Sequence, residues 1–133
     1  MQHLPGPVDW LLDVAHNADS AITLASNLAA VPPSGRRVAL FALMARKELA
    51  PVLEPLRPLF QGWFLLDLPD PDARPAREVA DYLGKEAVVD TGTTEELLPR
   101  VDAALRPGDQ LVVFGSFRTV EEALRYRSRS VAA

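Results

Sequence analysis

In WLLDVAHNADSA, residues 10–21, an apolar run stops at Asp13 and gives way to His16 and Asn17. Two further clusters follow apolar runs in the same manner: Arg46, Lys47 and Glu48, and then Gly115, Ser116, Phe117, Arg118 and Thr119; Asp67 stands alone after another run. A carboxylate at such a point can accept from ribose hydroxyls, lysine and arginine can hold phosphate or carboxylate oxygens, and a following helix N-terminus offers amides to anions. Each residue also has an architectural reading: Asn17 or Asp19 as a helix cap, His16 as part of a turn, Ser116 as a partner for the backbone ahead of a Thr119 cap. Other chemistries are poorly served. The chain has no G-x-x-x-x-G-K-S/T loop and no G-x-G-x-x-G after its first apolar run, hence no self-sufficient nucleotide cradle of either common type. Asp13 and His16 lack the further nitrogen or sulfur ligands of a structural zinc site, and no metal site is expected. Ser116 lacks the G-x-S-x-G elbow that a triad with His16 and Asp13 would use.

Bringing these clusters together falls to the elements between them. Five apolar bursts read as buried strands: Val8 to Leu12, Val38 to Leu43, Trp63 to Leu66, Ala87 to Val89 and Leu111 to Phe114. Runs such as VALFAL and LVVF alternate so little with polar residues that both faces must be covered, as in a parallel sheet. Between them the period becomes helical, with Ala21, Leu24, Ala25 and Leu28 on one face and Leu49, Val52, Leu53 and Leu56 on another. Pro51, Pro55 and Pro58 predict that the second helix is short or kinked. Thr93 with Glu96, and Thr119 with Glu122, fit capping boxes. The pattern predicts an α/β fold, a Rossmann-like three-layer αβα domain over residues 1–133 with a mainly parallel sheet of five or six strands. Ligands of open α/β sheets bind beyond the carboxyl ends of the strands, where all the clusters fall.

Composition narrows the classes. With 133 residues, 48% hydrophobic and 24% charged, the chain can bury a single core. A net charge of -4, with basic residues grouped only in the RYRSRS tail, argues against a nucleic-acid surface; that tail is expected to be solvated and frayed. No cysteine is present, which suits a cytoplasmic protein, and no run reaches the ~18 apolar residues of a membrane span.

LLDVAHNADSA resembles the L-D-G/V-A-H-N-x-x-S/A segment that opens the C-terminal domain of folylpolyglutamate synthases and dihydrofolate synthases, members of the Mur ligase superfamily. VFGSFRTVEEAL resembles that family's V-x-G-S-F-x-T-V-x-E-V/A-L segment, and GRRVALFALMARKE stands where it has G-R-x-x-x-V-x-G-M-x-x-D-K-D, in the same order and spacing. The resemblance covers nearly the whole chain. It implies an ATP-dependent amide ligase that phosphorylates a carboxylate of dihydropteroate or a folate, after which the amine of L-glutamate attacks the acyl phosphate. It further implies that the P-loop and most ligands of Mg²⁺ lie in a preceding N-terminal domain, absent from this chain, so that the domain alone is inactive. By the same resemblance Asp13, His16 and Asn17 are the ATP-binding residues: Asp13 binds the ribose, His16 stands near the phosphates as the catalytic histidine, and Asn17 completes the turn. Lys47, Ser116, Phe117 and Thr119 are implied to contact glutamate or the acyl phosphate.

The match has departures. Ala42, Ala45 and Arg46 replace Gly, His and Asp around Lys47, while Glu48 keeps the last acid; Pro71 is followed by Asp72 where the family has arginine, and Arg74 is displaced from that place. Two other readings stand beside the ligase. One is a binding-only remnant of it. The other is a phosphoacceptor module similar to a response-regulator receiver, with Asp67 after the third burst, although Asp13 has no acidic neighbour and GSFR brings no lysine after the fifth.

Overall fold

The computed structural model describes residues 1–132, with side chains through Ser130. Four of the predicted bursts form strands close to their expected bounds: β2 (Asp9–Leu12), β3 (Arg37–Phe41), β4 (Gly62–Leu66) and β6 (Gln110–Phe114). The weakest burst forms its strand slightly later, as β5 (Val88–Gly92). A sixth strand, β1 (Gln2–Leu4), pairs antiparallel with β2, His3 opposite Leu11. Its sequence, QHL, carries no apolar run, and it exists because the edge of β2 offers unpaired backbone groups. The strands lie in the order β1-β2-β6-β3-β4-β5, and every pair after the first is parallel.

Period-two alternation along the strands divides the core into two layers. Leu11, Ala39, Phe41, Trp63, Leu65, Val112 and Phe114 face α1 (Ala18–Ala29), α2 (Leu49–Leu53) and α3 (Ala76–Leu83). Leu12, Val38, Leu40, Phe64, Leu66, Leu111 and Val113 face α4 (Thr94–Ala104) and α5 (Phe117–Ala132). This is the expected αβα sandwich. On the first face Phe41, Trp63 and Phe114 form an aromatic cluster, with ring centroids 4.9 to 5.9 Å apart.

Helix boundaries follow local chemistry, with two departures from expectation. Thr93 and Glu96 form the expected capping box, and the proline-rich segment yields only the five residues of α2 followed by a 3-10 turn, Arg57–Leu59. Thr119 does not cap α5. The helix starts three residues earlier than such a cap would allow, at Phe117, and the Ser116 hydroxyl accepts from the Thr119 amide at 3.1 Å. Glu122 instead turns to α4, accepting from the Thr94 hydroxyl at 2.6 Å and from Arg125 at 2.7 Å. The basic tail is also ordered where fraying was expected: α5 runs through it, Arg125 and Arg129 approach Glu95 at 3.7 Å, and the Arg127 guanidinium lies 5.0 Å from the Trp10 ring centre. No described helix is long and apolar enough to cross a membrane.

Candidate functional site

The chain turns that leave β2, β3 and β6 at their carboxyl ends meet around one cleft of about 290 Å³, lined by His16, Met44, Arg46, Lys47, Gly115, Ser116, Phe117 and Arg118. Topology explains the meeting. β6 lies between β2 and β3, so three loops far apart in sequence leave adjacent strands on the same side.

The floor is built by a contact only glycine permits. Gly115 has φ +119°, in the region L side chains avoid, and a Cβ there would lie 1.9 Å from the Ala42 carbonyl oxygen. That close approach brings the end of β6 against the residue following β3. The same carbonyl accepts from the Thr119 hydroxyl at 3.0 Å, and the Ser116 and Thr119 hydroxyls are 2.8 Å apart. Since the Thr119 hydrogen goes to Ala42, Ser116 must donate to Thr119. Thr119 is completely buried and lies beneath the cleft rather than in its wall. Ser116 lines the cleft, but its hydroxyl hydrogen is committed. Phe117 is the opposite case, an aromatic ring 74% exposed at the mouth.

The first loop fixes His16. Asp13 Oδ1 accepts from the Ala15 amide at 2.8 Å, closing a tight turn, and His16 Nδ1 lies 2.8 Å from the Val14 carbonyl oxygen. A carbonyl only accepts, so Nδ1 carries the hydrogen and Nε2 is the nitrogen left for a ligand. Asn17 is a cap: its oxygen accepts from the Ser20 amide at 2.9 Å and the Ser20 hydroxyl at 2.8 Å. It is exposed and does not line the cleft. Asp13 opens instead onto a neighbouring shallow groove with Gln2, Leu12, Val14 and Val120. No Ser116–His16–Asp13 triad forms, because each member is engaged with local backbone or with Thr119.

The second loop supplies positive charge. Lys47 closes a turn through its amide to the Met44 carbonyl at 3.0 Å, and both Arg46 and Lys47 line the cleft. Arg118 adds a third cation; Asp70 approaches its Nε at 3.5 Å and Glu121 accepts from Nη1 at 2.8 Å. The lining contains no carboxylate. Guanidinium, ammonium, imidazole and first-turn amides of α5 together suit phosphate or carboxylate oxygens. Among the described residues no three His, Asp or Glu side chains gather to hold a metal ion. Asp67, which sequence placed on the rim, accepts from the Ala76 amide at 2.7 Å and so anchors the start of α3.

Thus His16, Lys47, Ser116 and Phe117 come together, Asn17 and Thr119 support them, and Asp13 faces an adjoining groove. Sequence marked Pro71, Asp72 and Arg74 only as departures from the family's pattern, with no sign that Met44 and the segment Asp70–Arg74 brace one another. They act through an isolated antiparallel bridge between Met44 and Ala73, which has no periodicity to reveal it.

Residues 1–117 match the family model described as "Mur ligase, glutamate ligase domain". The dihydrofolate synthase/folylpolyglutamate synthase of Escherichia coli K12 is 28% identical over 114 residues, which make up 86% of this chain and 26% of that protein. Among solved structures, E. coli FolC in complex with ADP superposes with a TM-score of 0.88 at 23% identity, covering 99% of this chain and 32% of that one. A bifunctional folylpolyglutamate synthase/dihydrofolate synthase with Mn, AMPPNP and L-glutamate bound gives 0.86 at 25% identity, covering 96% and 30%. The chain therefore spans between a quarter and a third of the length of these relatives.

Proposed function

The chain belongs to the Mur ligase glutamate ligase domain family, and from that premise we propose that it serves as the C-terminal domain of a cytoplasmic ATP-dependent folate ligase. One observation carries the reading: a cleft with three cations, an oriented imidazole and no carboxylate sits at the carboxyl ends of β2, β6 and β3. Its partner is a P-loop domain, which this sequence does not contain; its ligands are ATP, L-glutamate, and dihydropteroate or folates.

ATP supplies the phosphoryl group that activates the substrate carboxylate, with Mg²⁺ held mainly by the P-loop domain. The present chain contributes binding and orientation. Asp13, at the turn before α1, accepts from the ribose hydroxyls in the groove it shares with Gln2. Asn17 caps α1 and thereby fixes that turn. His16, with Nδ1 tied to Val14, offers Nε2 at the cleft and, when protonated, donates to negative charge developing on the reacting phosphoryl and acyl oxygens. Lys47 and Arg46 hold glutamate carboxylates, Phe117 covers the mouth, and Ser116 with Thr119 keeps the floor in register. A receiver-like role has no support, since Asp67 is engaged by the Ala76 amide and no lysine follows β6.

The test is ligation by this chain together with its P-loop domain. Asp13→Ala should raise the KM for ATP about tenfold, the loss of roughly 1.4 kcal/mol of binding. His16→Ala should lower kcat on the order of 10²-fold. Near-normal kinetics in both would overturn the site assignment.

A further inference from the structure

We propose that Arg74 is the positioning residue that aims Arg46 and Lys47 into the cleft; the inference rests on the glutamate-holding role given to that cleft. Consecutive residues on extended backbone point to opposite sides, so two neighbours can share a cleft wall only on a tight turn. The Lys47 amide closes that turn onto the Met44 carbonyl. The turn is paired only through the single Met44–Ala73 bridge, and the Arg74 side chain extends that hold towards Lys47. Its Nη2 donates to the Ala45 carbonyl at 2.9 Å and also to the Lys47 carbonyl, the carbonyls of the two residues on either side of Arg46. The backbone repeats the clamp: the Arg74 amide donates to Leu43 O at 2.9 Å and the Ala45 amide to Asp72 O at 2.8 Å. On its outer side Nη1 donates to Glu78 of α3 at 3.2 Å, and Nε is buried without a partner. A planar guanidinium fixed at one end to a helix and at the other to two carbonyls holds the turn more firmly than a mobile ammonium can.

The test has two arms. In the full chain, Arg74→Ala should speed hydrogen exchange of the Ala45 and Lys47 amides at least tenfold while the β3 and β6 amides keep their protection. Arg74→Lys should recover only part of that protection. In the ligase containing the P-loop domain, Arg74→Ala should raise the KM for L-glutamate about tenfold and leave the KM for ATP within twofold, with Arg74→Lys intermediate. Unchanged exchange at both amides, or a loosened turn with an unaltered glutamate KM in an active enzyme, overturns the proposal. A wild-type ligase that consumes ATP with substrate but not with L-glutamate refutes the parent reading instead, and the exchange arm still decides whether Arg74 holds the turn.

Discussion

Gly115 concentrates more of the site's geometry than any charged residue in it. Its φ of +119° and the 1.9 Å between a hypothetical Cβ and Ala42 O leave no room for a side chain, and the obstacle is backbone rather than a flexible side chain. Gly115→Ala should therefore cost ~3–5 kcal/mol, combining backbone strain with overpacking; urea unfolding followed by circular dichroism measures it. At this scale the sequence was partly legible. The acid, the histidine and the G-S-F-x-T segment stood out because their types are chemically specific, and four of the seven candidates do line one cleft. What residue types could not convey was commitment. That Thr119 is spent on Ala42, and Asn17 on Ser20, depends on which backbone groups each side chain meets after folding.

Elements were read best where periodicity was strong and worst where tertiary contacts set the boundary. Val38 to Leu43 and Leu111 to Phe114 announced central strands by their unbroken apolar runs, whereas β1 is held only by its pairing with β2. The start of α5 illustrates the second case. Thr119 and Glu122 have capping-box spacing, yet Ser116 caps earlier because the glycine turn delivers it there, and Glu122 is drawn to Thr94 and Arg125. Burial alone would raise the Glu122 carboxyl, but these hydrogen bonds outweigh it and hold it below the ordinary carboxylate value. The hydroxyl chain between α5 and β3 has its own expected cost. Thr119→Val keeps the shape, leaves the Ala42 carbonyl and Ser116 hydroxyl without their partner, and should destabilise the domain by ~2 kcal/mol. A thermal melt against the wild type checks it.

For the molecule as a whole, the most strongly shifted carboxylate lies at the end of the sheet opposite the cleft. Asp109 accepts from the Arg36 guanidinium at 2.7 Å, the Arg36 amide at 2.8 Å and the Arg106 amide at 2.9 Å, joining the starts of β3 and β6. The hydrogen bond from the Arg36 side chain is the largest cause holding its carboxyl down at about 2, against an ordinary 3.8. A depressed folded value means that this contribution is complete above about 3.8 and fades as pH falls towards about 2. Asp109→Asn should remove ~2 kcal/mol at neutral pH and flatten the acid limb of the stability profile across that window. Denaturant midpoints measured from pH 7 to pH 2 read both effects. The strand order has a further consequence for how the domain comes into being. β2 and β3 follow one another along the chain but do not pair; the slot between them is filled by β6, so that Arg37 waits for Gln110. Until that late strand inserts, the nascent chain carries two half-sheets with open, apolar edges and no cleft. Loop-closure entropy must be met before the central pairings form, which makes the insertion of β6 the costliest and most aggregation-exposed step in assembling the sheet.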